Sequence, residues 1–256
     1  MSDIKFDFSG KNFVVVGASS GMGKQIAIDL AASGANVLAI ARNKERLAKL
    51  EAEYPSRISS VQLDVITSKK ERWEECIDNF ARTHGKINGG VYAAGIAVPS
   101  PIKGFDEKMA NAVVDTSFWG MINFLHVATK TRYTAKGSAY VVFSSVSGHN
   151  GVKGMFAYSA AKSAVKTAVQ SIAEEIGKKG KRINSVSPGW IQTPMTDVSV
   201  QVDTGNVPPH VLRRQYLGMG VPEDVSGVVL FLLSDAARMI TGTDILVDGG
   251  YMSSDG

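Results

Sequence analysis

The sequence predicts an α/β fold of three layers, in which a doubly wound parallel sheet lies between helices on both faces. Strand-like and helix-like segments alternate along the chain, as they do in folds of this class. The strand-like runs are short and continuously apolar, which is typical of parallel strands buried on both sides. No linker, change in composition or internal repeat divides the sequence. We therefore expect a single domain over residues 1–256.

The strands are predicted from short runs rich in valine, isoleucine, leucine and alanine, the first of which is closed by Gly17. These runs cover residues 11–16, 36–41, 61–65, 89–94, 138–143, 182–187 and 244–247. Between them lie longer segments with helical patterns, the first of which ends at Gly34. These segments cover residues 22–33, 44–53, 69–84, 107–131, 157–178 and 222–233.

One long irregular stretch, at about residues 192–220, interrupts this alternation. It contains Pro194, Gly205, Pro208 and Pro209, which disfavour regular structure. A loop of this length inside a compact domain is usually functional, so we expect a mobile substrate loop here.

Composition excludes several classes of protein. Hydrophobic residues make up 44% of the chain and charged residues 20%, as in an ordinary globular domain. The net charge of +4 is dispersed, with no basic stripe that carries interleaved aromatics, so we expect no nucleic-acid partner. The four histidines show no metal-ligand spacing, which predicts no metal site.

The predicted compartment follows from the cysteine content and from the absence of targeting patterns. Cys76 is the only cysteine, so the chain forms no internal disulfide, which suits a reducing compartment. The first ten residues do not read as a signal peptide, and no apolar run approaches the length of a membrane span. We therefore expect a cytoplasmic protein without a membrane partner.

A glycine-rich turn joins the first predicted strand to the first helix. Glycines allow a tight turn and a close approach of the backbone to a ligand, while the following helix offers free N–H groups to a pyrophosphate. The spacing G-x-x-x-G-x-G differs from the G-x-G-x-x-G Rossmann fingerprint, and the ending of a Walker A loop is missing. An ordinary glycine turn is the alternative. The candidate cofactor residues of this turn are Gly17, Ser19, Ser20, Gly21, Met22 and Gly23.

The end of the second strand predicts which nicotinamide nucleotide binds. In Rossmann-type sites an acidic residue at this position binds the ribose 2′-hydroxyl, whereas an arginine accommodates the 2′-phosphate. Here the strand ends in Ala41, and Arg42 follows without a carboxylate. We therefore expect NADP(H) to be favoured over NAD(H), although Arg42 as a surface cation near the helix start is the alternative.

A tyrosine and a lysine one helical turn apart form the candidate catalytic centre. Tyr158 and Lys162 are separated by four residues and so share a helix face. An ammonium near a phenol lowers its pKa, and a phenol tuned in this way can exchange a proton during hydride transfer. Ser145 follows an apolar strand and lies thirteen residues before Tyr158. Alone, the Y-x-x-x-K pattern is weak, because a surface tyrosine packed on a lysine stem produces it too.

Taken together, these motifs resemble those of the short-chain dehydrogenase/reductase family, and among its members most nearly the 3-oxoacyl-carrier-protein reductase-like enzymes. The similarity spans essentially the whole chain, with the order and spacing of the motifs in agreement. The residues that carry it are Gly17 to Gly23, Asp64, Val65, Ala94, Gly95, Ser145, Tyr158, Lys162, Asn184, Ser187, Pro188, Gly189, Thr193, Asp248 and Gly249.

The resemblance implies a role for each matched position. Tyr158 would be the general acid in reduction and the base in oxidation, Lys162 would lower its pKa and bind the nicotinamide ribose, and Ser145 would hold the substrate oxygen. The cofactor would supply the hydride and the protein the positioning. The remaining positions implied to bind the cofactor are Asp64 and Val65 at the adenine, Ala94 and Gly95 at the ribose, and Pro188, Gly189, Ile191 and Thr193 around the nicotinamide.

The sequence departs from the family pattern at several positions. The usual Asn-Asn-Ala-Gly after the fourth strand is Tyr92-Ala93-Ala94-Gly95, and Val16 replaces a frequent threonine. The catalytic asparagine of the middle helix aligns with Ser117, which could hold a water in the proton relay. Asp115 and Asn111, on the same helix, are alternatives for that role.

Other polar or aromatic residues near these motifs are further candidates for the site. His149 follows Ser145 closely and could reach a substrate, but we interpret it as a polar loop residue. Trp190 could line the substrate pocket or pack in the core. Arg213 and Arg214 could bind an anionic substrate or face solvent.

These observations predict an NADP(H)-dependent oxidoreductase that transfers a hydride between nicotinamide and a ketone or secondary alcohol, acting as a carbonyl reductase. The alternatives are a non-catalytic NADP-binding sensor or scaffold and, less favoured because no carboxylate accompanies the triad, an isomerase, dehydratase or epimerase. From the family resemblance and from two long helices rich in Ala, Val and Phe, we expect a homodimer or homotetramer.

Overall fold

The computed structural model describes residues 4–196 and 213–254. Its centre is a sheet of seven parallel strands in the order β3-β2-β1-β4-β5-β6-β7. The chain builds the β1–β3 half first and then crosses to build the other half from β4 to β7, as expected for a doubly wound sheet. The predicted fold class is confirmed.

The strands alternate with seven α-helices along the described chain. The strands are β1 (Asn12–Val16), β2 (Asn36–Ala41), β3 (Ile58–Gln62), β4 (Ile87–Tyr92), β5 (Thr134–Phe143), β6 (Arg182–Pro188) and β7 (Asp244–Val247). The helices are α1 (Gly21–Ala32), α2 (Lys44–Glu53), α3 (Lys70–His84), α4 (Glu107–Val114), α5 (Gly120–Ala128), α6 (Phe156–Gly177) and α7 (Pro222–Leu233). A π-helical turn, Asp115–Trp119, joins α4 to α5.

The third predicted strand was wrong by three residues. The strand is Ile58–Gln62, in register with β2, rather than residues 61–65. Leu63 and Val65, which suggested the later position, are buried in the turn after the strand. A single apolar run does not distinguish a strand from the buried turn that follows it.

The long helix predicted over residues 107–131 is also interrupted. The π-helical turn divides it, and α5 ends at Ala128. The apolar pattern runs through the turn because Thr116 and Ser117 are buried inside the molecule alongside their apolar neighbours. Periodicity reports burial, and burial continues where the hydrogen-bond pattern changes.

Two hydrophobic cores lie on opposite faces of the sheet. One contains Leu30 of α1 and Val229 of α7. The other contains Trp73 of α3, Phe124 of α5 and Val165 of α6. Alternate residues of the buried strands, such as Val15 and Val14, point to one core and the other. The continuous apolar strands of the sequence are explained by this burial on both faces.

The topology brings the carboxyl ends of the strands to one edge of the sheet. β1 pairs with both β2 and β4, so the point at which the winding direction reverses lies beside β1. Ligands of open α/β sheets bind in the crevice outside the strand ends at such a point. Within the described ranges, no helix is both long enough and apolar enough to cross a bilayer.

Candidate active site

The glycine-rich turn forms the floor of a cleft at this edge of the sheet. Gly17 has φ +88°, in the left-handed region, and a Cβ built on it would lie 2.7 Å from the Ala94 nitrogen. A Cβ on Gly23 would lie 2.3 Å from the Gly17 carbonyl oxygen. The turn therefore packs too closely against β4 and against itself for any larger residue at these two positions.

The first turn of α1 is available to an anion. Ser20 is the N-cap residue, but its side chain makes no capping hydrogen bond, and no acidic residue occupies the first turn. The N–H groups of this turn and the positive end of the helix dipole therefore face the cleft without an internal anion. Ser19, Met22 and Gly21 lie in the same segment, and Gly21 approaches Thr193.

The cleft has a volume of about 630 Å³ and extends from the glycine turn to the end of β2. Two arginines, Arg42 and Arg46, line it at that end, and both are exposed. Asn43 caps α2 by accepting a hydrogen bond of 2.9 Å from the Arg46 N–H. This cap places the first turn of α2, and with it Arg46, beside Arg42. Among the described residues that line the cleft there are two arginines and no carboxylate, so the charge of the lining suits the phosphate groups of a nucleotide.

The middle of the cleft is formed by the residues after β3 and β4. Asp64 accepts a hydrogen bond of 2.8 Å from the Ile66 N–H, which shapes the turn after β3. Val65 is buried and lines the cleft together with Ala94 and Gly95. Small residues after β4 leave room for a planar ring or a ribose close to the backbone.

The candidate catalytic residues Ser145, Tyr158 and Lys162 come together at the carboxyl end of β5. Ser145 begins the short 3₁₀ turn Val146–Gly148 and accepts a hydrogen bond of 3.1 Å from the Ser147 N–H. Tyr158 and Lys162 lie on α6, and the Lys162 ammonium lies 5.7 Å from the centre of the Tyr158 ring. The Ser145 side chain is close enough to the Tyr158 hydroxyl to lower the pKa of the phenol.

The surroundings of this centre shift the pKa values of Tyr158 and Lys162. Burial raises the pKa of Tyr158, and the hydrogen bond with Ser145 offsets part of that rise. Burial also lowers the pKa of Lys162 to about 8. Lys162 is 4% exposed, and its ammonium donates to the Phe143 carbonyl oxygen at 2.7 Å. Lys162 is not among the groups that shift the pKa of Tyr158 here, so its effect on the phenol stays a prediction.

Ser117 lies on the π-helical turn and faces the same centre. The position of a Cβ on Gly95 would be 3.5 Å from Lys162 Nζ and 3.8 Å from Ser117 Oγ. Ser117 is 1% exposed, and among the described residues its hydroxyl has no hydrogen-bond partner. Asp115 and Asn111, the alternatives for this position, line a separate shallow cleft on the outer side of α4.

Tyr92 supports the π-helical turn, a role that the sequence did not reveal. Its hydroxyl donates to the Thr116 carbonyl oxygen at 2.6 Å in a fully buried position. A Cβ on Gly120 would lie 2.2 Å from that hydroxyl. Tyr92 therefore replaces the asparagine of the family with another side chain that supports this region by a hydrogen bond. Its signal in the sequence is the combination of a tyrosine at the end of a buried strand with a glycine in the facing helix.

The segment after β6 forms the remaining wall of the site. Pro188 and Ile191 are buried, and Trp190 is half-buried. Gln215 fastens this wall: its amide oxygen accepts from the Trp190 N–H, and its amide nitrogen donates to the Trp190 carbonyl oxygen, both at 2.9 Å. Gly189 faces Gln215, since a Cβ there would lie 2.5 Å from the amide oxygen. Sequence reasoning missed Gln215, which is polar yet only 2% exposed.

The predicted substrate loop at about 192–220 is described only at its two ends, 192–196 and 213–220; residues 197–212 of that prediction lie outside the described residues. Where the ends are seen, Ile191 forms a parallel bridge with Gly220, and Arg214 packs on the Tyr251 ring. Arg213 is exposed.

The fold and the cleft define a Rossmann-type nucleotide-binding protein with a serine, a tyrosine and a lysine gathered beside the nucleotide site. Comparison with known proteins narrows this class. A family model described as enoyl-(acyl carrier protein) reductase matches residues 17–252. A short-chain dehydrogenase/reductase of Botryotinia fuckeliana is 33% identical over 95% of this chain and 97% of its own length.

Two further relatives belong to the same family. A 3-oxoacyl-(acyl-carrier-protein) reductase of Thermotoga maritima is 32% identical over 95% of this chain and 98% of its own. The crystal structure of a short-chain dehydrogenase/reductase of Brucella melitensis, described as a glucose/ribitol dehydrogenase, superposes with a TM-score of 0.89 at 27% identity. It covers 97% of this chain and 99% of its own. The chain belongs to the short-chain dehydrogenase/reductase family and is an oxidoreductase of that family, whose members use a nicotinamide cofactor.

Proposed function

We propose that the protein is an NADP(H)-dependent carbonyl reductase that interconverts a ketone and a secondary alcohol. The observation that carries the proposal is that Ser145, Tyr158 and the buried Lys162 come together beside Gly95, one of the residues that line the cleft with the two arginines. The bound nicotinamide would supply or accept the hydride. The residues of this chain would bind it, orient the substrate and move the proton.

The proposed proton transfer uses the phenol of Tyr158. In reduction its hydroxyl donates a proton to the oxygen that develops negative charge, and Ser145 holds that same oxygen by a hydrogen bond. The phenol stays protonated at neutral pH because burial raises its pKa. The protonated phenol is the form that an acid in reduction requires.

Lys162 and Ser117 complete the proposed site. The Lys162 ammonium, with a pKa of about 8, is mostly charged at neutral pH and can bind a ribose hydroxyl and stabilise charge that forms on Tyr158. The unpartnered Ser117 hydroxyl would hold a water beside Lys162, through which the phenol is reprotonated. Ser117→Asn is expected to retain turnover, whereas Ser117→Ala should slow it by about tenfold.

The preference for NADP(H) rests on the end of β2. Arg42 and Arg46 both line the cleft, and within the described part of the chain no carboxylate lines it beside them. Paired guanidinium groups bind a 2′-phosphate through charge-assisted hydrogen bonds. The residues that we propose contact the rest of the cofactor are those named above in the glycine turn, after β3 and β4, and after β6.

The test is a binding titration of NADPH and NADH, followed by nicotinamide fluorescence, and then turnover of a 3-oxoacyl thioester and of a simple ketone. We expect NADPH to bind more tightly than NADH. Arg42→Ala should weaken NADPH binding by about tenfold or more while leaving NADH within about twofold. Arg57→Ala, which changes an exposed arginine outside the cleft, serves as the control.

Equal affinity for the two nucleotides would refute the cofactor preference and leave the family assignment intact. Binding without turnover of any ketone or alcohol would favour the alternative, a non-catalytic sensor or scaffold. As further parts of the proposal, we retain a homodimer or homotetramer and a reducing, cytoplasmic compartment, which suits the single cysteine.

A further inference from the structure

A buried polar cluster lies behind the turn that carries Ser145. It joins the 3₁₀ turn to three other elements through five side chains, which are His149 at the end of the turn, Lys166 of α6, Ser185 and Ser187 of β6, and Asp244 of β7. Both serines are fully buried. The imidazole and the carboxylate are 23% and 13% exposed. His149 lies in a turn, as expected, but its side chain is hydrogen-bonded to partners on three other elements.

The partners of His149 determine its protonation and tautomer. Its Nε2 lies 2.7 Å from Asp244 Oδ2, and a carboxylate only accepts, so Nε2 carries a hydrogen. Its Nδ1 lies 3.0 Å from Lys166 Nζ, and an ammonium only donates, so Nδ1 is an acceptor. The arrangement requires a neutral imidazole with the proton on Nε2. Protonation of Nδ1 would remove the acceptor and break the contact with Lys166.

Asp244 is held in place from a second side. It accepts hydrogen bonds from Ser185 Oγ at 2.5 Å and from Ser187 Oγ at 2.8 Å. β7 is an edge strand of the sheet, and its first residue is anchored to β6 by side chains as well as by the backbone. The Asp244 carboxylate therefore holds the His149 imidazole against the sheet.

The other end of the 3₁₀ turn is also anchored. The Ser144 N–H donates to the Val186 carbonyl oxygen, and the Ser144 hydroxyl donates to the Lys162 carbonyl oxygen at 2.8 Å. Within the turn, the Gly148 N–H donates to the Ser145 carbonyl oxygen and the His149 N–H to the Val146 carbonyl oxygen. The turn is thus a short rigid unit, and His149 is its attachment on the far side of Ser145.

We propose that His149 is a positioning residue: through Asp244 and Lys166 it fixes the turn that aims the Ser145 hydroxyl at Tyr158. The inference rests on the proposed function where it concerns turnover, but the alignment of Ser145 with Tyr158 is a property of the protein alone. Loss of the imidazole would release one end of the turn, and Ser145 would move relative to the phenol. A displacement of about 1 Å in such a centre can cost about a hundredfold in rate.

The first measurement reads Tyr158 directly and needs neither cofactor nor substrate. Protein labelled with ¹³C at tyrosine Cζ contains seven tyrosines, and Tyr158→Phe identifies the signal of interest. We expect that signal to shift in His149→Ala and in Asp244→Ala. It should stay near its wild-type position in Asp244→Asn, whose amide oxygen can still accept from the imidazole and from Ser187. His126→Ala, an exposed histidine on α5, is the control and should not move it.

The second measurement is turnover at saturating NADPH. His149→Ala should lower kcat by about tenfold while the KM for NADPH stays within about twofold, because the nucleotide cleft is untouched. His149→Gln, which keeps an N–H donor for Asp244, should recover part of kcat. His149→Ala and Asp244→Ala should combine to less than the product of their separate effects, since both act through one contact.

The outcomes separate this inference from the proposed function. An unmoved Tyr158 signal in folded His149→Ala would overturn it, even in an active enzyme. A signal that moves in a protein without turnover would support it and count against the carbonyl reductase proposal. If His149→Ala does not fold, Lys166→Met and Asp244→Ala test the same contacts, and an unshifted Tyr158 signal in both of these folded variants would overturn it.

Discussion

At the scale of single residues, Lys162 is the group of the site whose burial costs the most folding free energy. Lys162 is 4% exposed and donates to a backbone carbonyl, but no carboxylate is among the groups that shift its pKa. Its pKa falls to about 8 because burial penalises the charged form. A protein that only needed stability would place an apolar residue here, so this cost supports a functional role for the ammonium.

The depressed pKa of Lys162 predicts a pH-dependent stability. Between pH 8 and 10.5 the unfolded chain holds the proton and the native state does not, so native stability rises with pH across this window. Lys162→Met removes the titration. We expect it to stabilise the protein near pH 7 by on the order of 3 kcal/mol and to lose that advantage as the pH approaches 10.5. Urea denaturation across this pH range measures the difference.

An advantage of Lys162→Met that is the same at pH 7 and at pH 10.5 would contradict this reasoning. Lys178→Met is a suitable control, because Lys178 is an exposed cation at the end of the same helix. Its removal should change stability little at any pH.

The contact between Ser145 and Tyr158 predicts unequal costs for their removal. Tyr158→Phe deletes the proton donor, and we expect turnover to fall by about a thousandfold or more. Ser145→Ala deletes only a hydrogen bond to the reacting oxygen, and about a hundredfold is expected. Steady-state rates with a reactive ketone measure both. Retention of more than a tenth of the wild-type rate by Tyr158→Phe would exclude the phenol as the acid.

At the scale of elements, the π-helical turn between α4 and α5 determines how Ser117 meets the site. An α-helix that ran without interruption from residue 107 would rotate every following side chain away from its observed position. The turn is stabilised from outside the helix, since Tyr92 at the end of β4 donates to the Thr116 carbonyl oxygen. The strand that borders the nucleotide cleft therefore also shapes the helix that carries Ser117.

The pairing of Tyr92 with Gly120 predicts strong coupling between the two positions. Gly120→Ala would place a methyl group 2.2 Å from the Tyr92 hydroxyl and should destabilise the protein by about 1–3 kcal/mol. Tyr92→Phe leaves the Thr116 carbonyl unpaired and should cost about 1–2 kcal/mol. In the double variant the methyl group occupies space that the hydroxyl has left, so the combined cost should be less than the sum.

Chemical denaturation of the four proteins in this cycle measures the coupling free energy. Simple addition of the two costs would show that the tyrosine hydroxyl and Gly120 do not share space in solution. Gly177→Ala is a control, because a Cβ at that glycine meets open space.

At the scale of the whole molecule, buried cations connect the sheet to its helices. Arg182, the first residue of β6, is 8% exposed. Its guanidinium donates to the carbonyl oxygens of Leu232 at 2.8 Å and Ser234 at 2.9 Å. These acceptors lie at the carboxyl end of α7, where backbone carbonyls have no partner within the helix. Lys181 makes the equivalent contact with the Thr129 carbonyl oxygen, at the end of α5. The two helices on opposite faces are thus fastened to one strand.

The role of Arg182 predicts a global effect of its removal. Arg182→Met leaves several buried carbonyl groups unpaired, and we expect a loss of about 2–4 kcal/mol. Because the chain forms one domain, unfolding should remain a single cooperative transition that is shifted as a whole. Circular dichroism and tryptophan fluorescence should report the same midpoint. Separate midpoints would show that α7 detaches independently of the sheet.

The amino-acid sequence by itself determined the fold class, the family and the candidate nucleotide turn, because each depends on short-range patterns. Alternating apolar runs specify a sheet covered on both faces, and glycines next to a strand specify a tight turn wherever the rest of the chain lies. The position of the Tyr158 and Lys162 pair follows from helix geometry alone.

Only the tertiary structure decided the features that depend on neighbours distant in the chain. These are the shifted third strand, the π-helical turn braced by Tyr92, the clamp of Gln215 on Trp190, and the contact of His149 with Asp244, ninety-five residues away. The sign of the Tyr158 pKa shift belongs here too, because it depends on how fully the fold desolvates the phenol. Burial and long-range hydrogen bonds have no fixed spacing in a sequence, so no local pattern predicts them.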